Sequence, residues 1–161
     1  VRPVRILALD LSGNTGWCFG AAGDAAPRLG SVQLGRNGYD NGAIAAALCD
    51  WLADAITTFA PSTVLYEAPL PRGQHSGVQA GRILLGLAMV TELVCFRREV
   101  DCREAHVSTV RAQTVGRGNC KKEDVAAWCT AQGWRFPDLD AADAAALWAY
   151  GVKVAMRRLA A

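Results

Sequence analysis

ILALDLSGNTGW, residues 6–17, joins an apolar run, a carboxylate and a glycine-bracketed turn. Read outward, Val4 to Leu11 is apolar on both faces apart from Arg5 and Asp10. That is the pattern of a central strand covered on both sides, here with a carboxylate at its C-terminal end. SGNTG then turns the chain. Trp17–Ala21 and Gly30–Gly35 are short aromatic or β-branched runs set off by Gly, Pro and Asp, so two further strands are predicted in a meander.

Asp40 to Phe59 carries Ile44, Leu48, Trp51, Leu52, Ala55 and Phe59 at helical spacing, and Pro61 ends it. TVLYEAP, residues 63–69, reads as a buried strand stopped by Pro69, with Glu67 near its end. A loop rich in Pro, Gly and Ser leads to a strongly apolar helix over Val78–Phe96. Val100–Arg103 is a further strand. His106–Val115 and Lys121–Gln132 are helices around the turn GRGN, Gly133 is a C-cap, and Asp140–Leu159 is the last helix. With no internal repeat and no dividing linker, this order predicts one α/β domain over residues 1–161, a mixed sheet flanked by helices.

Composition supports a folded domain: 161 residues, 52% hydrophobic and 20% charged, exclude disorder for most of the length. The run Ile83–Phe96 is interrupted by Thr91 and Glu92 and is short for a bilayer span, so neither a transmembrane helix nor a membrane partner is expected. VRPVRILALD does not resemble a secretory signal, which makes a cytoplasmic protein the expectation. Its six cysteines form no CxxC pair and there are two histidines, so reduced thiols are expected and structural zinc is not. A net charge of +2 is mild, but between Arg97 and Lys122 seven basic residues face three acids. Such a local excess can meet phosphates.

Four acids stand where acids are unusual. Asp10 and Glu67 end apolar strands, and Asp140 and Asp143 lie three apart on the helix stripe that continues through Leu147, Gly151 and Val154. Each has a plainer reading. Asp140 can be an N-cap with Asp143 favoured by the helix dipole, and Asp10 can hydrogen-bond the turn near Gly13. Glu67 has no turn role and is not a residue that is buried unpaired. Brought together, the four would raise one another's pKa unless a cation neutralised them. Carboxylates without Cys or His favour Mg²⁺ or Mn²⁺, and two such ions can grip the attacking water and the leaving oxygen of a phosphodiester.

ILALDLSGNTGW, VLYEAP, VRAQTVGRGNCKKEDV and DAADAAALWAY, in this order and at these separations, resemble the RuvC-type Holliday junction resolvases of the RNase H-like superfamily. The likeness spans nearly the whole chain, and the turn after Asp10 resembles phage-type members. It implies an RNase H-like mixed sheet of about five strands, a homodimer, and cleavage of branched DNA with two Mg²⁺ ions, Mn²⁺ being a substitute. It further implies that Asp10, Glu67, Asp140 and Asp143 are the metal ligands. Lys122 falls on the lysine kept after the GxG turn, and Arg111 where many members have a lysine, which makes both candidates for the scissile phosphate. Lys121 and Arg117 flank them as DNA-binding candidates. Where bacterial members carry an aromatic residue three positions after the glutamate, this chain has Leu70, which can wedge between bases but stacks less well. Arg72, Gln74 and Arg82 are available for backbone contacts, with His75 beside them as a weaker candidate for a general base.

Three alternatives share some of these residues. LDLSGNTG also resembles the phosphate loop of the actin and sugar-kinase fold, which needs two related halves and a second Asp-Gly loop. A noncatalytic branched-DNA-binding module would gain nothing from carboxylates facing phosphates. Another RNase H-like nuclease, acting on flaps or RNA–DNA hybrids, would use the same acids.

Overall fold

The computed structural model describes residues 3–35, 40–69 and 77–160. Its elements follow the predicted order: β1 (Arg5–Asp10), β2 (Asn14–Ala21), β3 (Arg28–Gln33), α1 (Asn41–Phe59), β4 (Thr63–Glu67), α2 (Val78–Arg97), β5 (Asp101–Ala105), α3 (Val107–Thr114), α4 (Lys122–Ala131) and α5 (Leu139–Leu159). The strands form one sheet in the order β3-β2-β1-β4-β5. β1, β2 and β3 are the expected antiparallel meander, while β1 pairs parallel with β4 and β4 with β5. The sheet is therefore mixed.

Alternation along β1 divides the interior into two cores. Leu7, Leu9 and Leu11 join α1 and α2 on one face, with Leu48, Leu52, Leu87 and Val94 among the buried partners. Ile6 and Ala8 face α5 on the other, together with Cys18, Leu65, Val110, Val125 and Leu147. α1 and α2 each have the length and apolar content to cross a bilayer, with mean hydropathy 1.3 and 1.5. α2 is thus longer than the apolar run from which no span was expected. Both helices pack into the core: α1 buries Ile44, Leu48, Leu52, Ala55, Ile56 and Phe59, and α2 buries Leu87, Ala88, Thr91, Val94 and Cys95.

α5 sits closest to the sheet because its face is built from small side chains. Ala141, Ala142, Ala144, Ala145 and Ala146 are each at most 1% exposed. At Gly16 the approach is so tight that a Cβ would lie 2.0 Å from the Asp140 carbonyl oxygen. Gly16 is also the β2 residue paired with Asp10. The absence of a side chain there lets the start of α5 rest on the strand beside the first acid.

This contact predicts unequal costs for two glycine substitutions. Gly16→Ala drives a methyl into backbone, whereas at Gly151 the added carbon meets side-chain tips, Leu65 Cδ2 at 2.8 Å and Ile6 Cδ1 at 3.1 Å. Urea denaturation is expected to show a loss of about 3 kcal/mol or more for Gly16→Ala, and a smaller loss of about 1–2 kcal/mol for Gly151→Ala. Equal losses would contradict the seating of α5 on a backbone contact.

Candidate active site

Leu9 pairs with Tyr66 across the parallel strands β1 and β4. The next residues, Asp10 and Glu67, therefore end their strands side by side. By parity they share the face of Ile6, Ala8 and Leu65, the face covered by α5. Asp143 projects from α5 into that layer and is only 3% exposed. Asp140 lies one turn earlier, with a side chain 26% exposed.

The plainer readings of two acids do not hold. Asp138, not Asp140, is the N-cap of α5, its side chain accepting a hydrogen bond from the Ala141 amide at 2.9 Å. Asp140 is already inside the first turn and is released from the capping role. The turn after Asp10 is fixed by Ser12 and Thr15, since the Thr15 hydroxyl donates to the Ser12 carbonyl at 2.7 Å. Asp10 instead faces Lys122.

Lys122 is the first residue of α4, whose start is capped by Asp124 accepting from the Lys121 amide at 2.9 Å. Its ammonium bridges three carboxylates: Asp140 Oδ1 at 2.8 Å, Asp143 Oδ2 at 3.0 Å and Asp10 Oδ2 at 3.4 Å. Arg111 approaches Asp143 from α3 at 3.6 Å and donates through Nη1 to the Cys120 carbonyl at 2.7 Å. Its side chain is 17% exposed, and its Nε is buried without a hydrogen-bond partner among the described residues.

The field at these groups is set by burial and by like charge. Burial pushes Glu67 up to about 8, aided by Asp10 and Asp143 and opposed by Arg111 and Lys122. Burial likewise pushes Asp10 up to about 6, against the pull of Lys122 and with the push of Asp143 and Asp140. Burial alone would lower the Lys122 pKa, but the surrounding carboxylates outweigh it and hold the ammonium well above the ordinary lysine range.

No three acids among the described residues already form a compact cation cage. Lys122 lies among them instead. The donor chemistry nevertheless fits a hard divalent cation: four carboxylates and no sulfur or imidazole, two of them at pKa values that a nearby positive charge would relieve. A small cleft of about 80 Å³ opens beside Asp10 and Glu67, walled by Leu11, Ala68, Pro69, Leu84 and Val107. Lys122 is 40% exposed on a long stem and has room to withdraw toward solvent.

The structure thus gathers Asp10, Glu67, Asp140, Asp143, Lys122 and Arg111. Arg111, which the resemblance implies as a phosphate contact, lies largely buried against Asp143 and the Cys120 carbonyl. Arg117 is 68% exposed and pairs with Asp124 at 3.5 Å. Lys121 is exposed beside it, and Arg82 is exposed on α2. Leu70, Arg72, Gln74 and His75 lie outside the described residues. Sequence reading missed Asn14, Ser31 and Asp138, which are linked by hydrogen bonds next to Asp140. The Pro-Asp step before α5 was a usable cap signal for Asp138. Asn14 gave none beyond its place in a turn.

Because Glu67 and Asp10 hold protons more tightly in the folded chain than unfolded, the folded state binds more protons between about pH 4 and 8. Stability therefore falls as pH rises through that window. Glu67→Gln cannot ionise and escapes its share of the loss. In chelator it is expected to raise Tm at pH 8 by roughly 3–6 °C, the shift produced by about 1–2 kcal/mol, with little change at pH 5. A lower Tm at pH 8 would contradict the electrostatic account.

Comparison with solved structures places the fold. The Thermus thermophilus RuvC structure is 17% identical over 89% of this chain and 90% of that chain, with a TM-score of 0.67. Thermus thermophilus RuvC in complex with Holliday junction substrate gives a TM-score of 0.71 at 17% identity and the same coverage. The yeast mitochondrial Holliday junction resolvase Ydc2 gives 0.63 at 16% identity, over 91% of this chain and 77% of that one. No protein-family model and no curated protein sequence matches the chain. By its five-stranded mixed sheet and flanking helices, the chain has the RuvC-type fold of the RNase H-like class.

Proposed function

We propose that the chain is a divalent-metal-dependent endonuclease that resolves four-way DNA junctions. The observation that carries this reading is the convergence of Asp10, Glu67, Asp140 and Asp143 where β1, β4 and α5 meet, with Asp143 at 3% exposure. Even with Lys122 and Arg111 among them, carboxylates buried this close together bring little benefit to stability, so a function that uses them is the economical explanation. The fold is shared with a RuvC seen in complex with Holliday junction substrate and with a yeast mitochondrial Holliday junction resolvase.

When bound, two Mg²⁺ ions would supply an activated water and neutralise the leaving oxygen during phosphodiester hydrolysis, leaving 5′-phosphate and 3′-hydroxyl ends. Asp10, Asp140 and Asp143 would hold one position, and Glu67 would help hold the second from the neighbouring strand end. Lys122, relieved of its carboxylates, can reach the phosphate and stabilise charge developing there. Arg111 keeps positive charge beside Asp143, and Lys121 and Arg117 offer exposed cations on the same turn for the DNA backbone.

The same reading makes the chain a dimer through α2. Leu85 (62% exposed), Met89 (65%), Leu93 (44%) and Phe96 (83%) recur at helical spacing along its outer face. A two-fold symmetric junction is matched by two copies of the chain.

The test is cleavage of a synthetic four-way junction beside a duplex, a flap and an RNA–DNA hybrid, in Mg²⁺ and in chelator. Paired nicks confined to the junction are expected. Asp10→Asn and Asp143→Asn should each lower the rate at least about 10³-fold while junction binding persists. Met89→Glu should yield a monomer by sedimentation and nick singly. Cutting of the flap or hybrid alone would move the substrate to another RNase H-like nuclease. Undiminished cutting by both Asp variants would overturn the assigned site.

A further inference from the structure

Asp140 has two oxygens with different duties. Oδ1 faces the Lys122 ammonium at 2.8 Å, on the side of Asp10 and Asp143. Oδ2 accepts from Asn14 Nδ2 at 2.9 Å. The same Asn14 nitrogen donates its other proton to Asp138 Oδ2 at 3.1 Å, which also accepts from the Ser31 hydroxyl at 2.6 Å. The second Asp138 oxygen is committed to the Ala141 amide.

Asn14 is itself held. It is the first residue of β2, pairs with Gln33 on β3, and its carbonyl accepts from the Ser12 hydroxyl. One amide nitrogen with two protons is thus fixed between two carboxylates that are two residues apart in sequence. Asparagine suits this position because a hydroxyl has one proton to give and an aspartate has none.

We propose that Asn14 is a positioning residue that makes Asp140 a one-oxygen ligand and thereby sets the site's preference for Mg²⁺ over Ca²⁺. The proposal rests on the reading of the four acids as a metal centre. The Asn14 bond orients the carboxylate with Oδ1 toward Asp10 and Asp143, and turning Oδ2 toward a cation there costs that bond. Mg²⁺ requires near-octahedral coordination at short distance, whereas Ca²⁺ takes more oxygens and accepts both oxygens of one carboxylate. A tethered carboxylate thus suits the smaller ion, and an untethered one can rotate to offer both oxygens to the larger.

The experiment is calorimetric titration of the full chain with Mg²⁺ and with Ca²⁺, without DNA. Asn14→Leu keeps the branched shape and removes the donor. Ser31→Ala removes a bond to Asp138 alone and serves as the comparison, and melting curves in chelator check that each variant is folded. Asn14→Leu is expected to shift the ratio of Mg²⁺ to Ca²⁺ affinity at least tenfold toward Ca²⁺, with Ser31→Ala leaving it within about twofold of the parent. If Asn14→Leu leaves both affinities unchanged, or lowers both by the same factor, the tether does not select the ion and the proposal falls while the metal centre stands. If the parent chain binds neither ion, the metal-centre reading falls and takes the proposal with it.

Discussion

Asp143 is a carboxylate at 3% exposure on a helix face otherwise made of alanine and larger apolar groups. Taking one such charge out of water without partners costs several kcal/mol, so its surroundings have to answer it. The answer comes from two other helices: Lys122 at the start of α4 and Arg111 in α3. Those two side chains in turn tie the segment between α3 and α4 to the sheet, because Arg111 also holds the Cys120 carbonyl just before α4. The packing of this side of the molecule is organised around a charge that is costly to bury.

Strand parity and a small-residue contact do the rest. Parallel pairing of β1 with β4 sets Asp10 beside Glu67, and alternation turns both toward α5. Gly16 lets α5 approach the sheet at backbone distance, which brings Asp140 and Asp143 within reach of the strand ends. Burial, aided by Asp10 and Asp143, still pushes Glu67 up to about 8, so the cations at Lys122 and Arg111 offset only part of the cost of keeping the acids charged. Residual electrostatic strain of this kind is what a site that binds a divalent cation would relieve, and it is the form a stability cost of function takes here.

Much of this was legible in the sequence. β1 and β4 announced themselves as apolar runs ended by acids, and the helices by their spacing and their Pro and Gly stops. The aromatic pattern starts β2 at Trp17, whereas the strand starts at Asn14, because Asn and Gly carry turn propensities that pairing with β3 overrides. The sequence pattern ends β5 at Arg103, whereas the strand continues to Ala105; its charged residues face solvent at a sheet edge and weaken the apolar signal. In sequence Asp140 reads as one candidate N-cap of α5, and in the structure the cap is Asp138. The capping bond to the Ala141 amide is local and signalled by the Pro-Asp step; what no local pattern encodes is the link from Asp138 to Asn14 and Ser31, more than a hundred residues away. The burial of Arg111 was hidden for the same reason: its partner Asp143 lies on another helix.

Diffraction from crystals soaked in Mn²⁺ shows whether the four acids together hold divalent cations. Anomalous peaks are expected at roughly 2.1 Å from oxygens of Asp10, Glu67, Asp140 and Asp143, with the Lys122 ammonium withdrawn from among them. Peaks confined to other surfaces, with Lys122 still bridging Asp10, Asp140 and Asp143, would contradict a metal centre built from these acids.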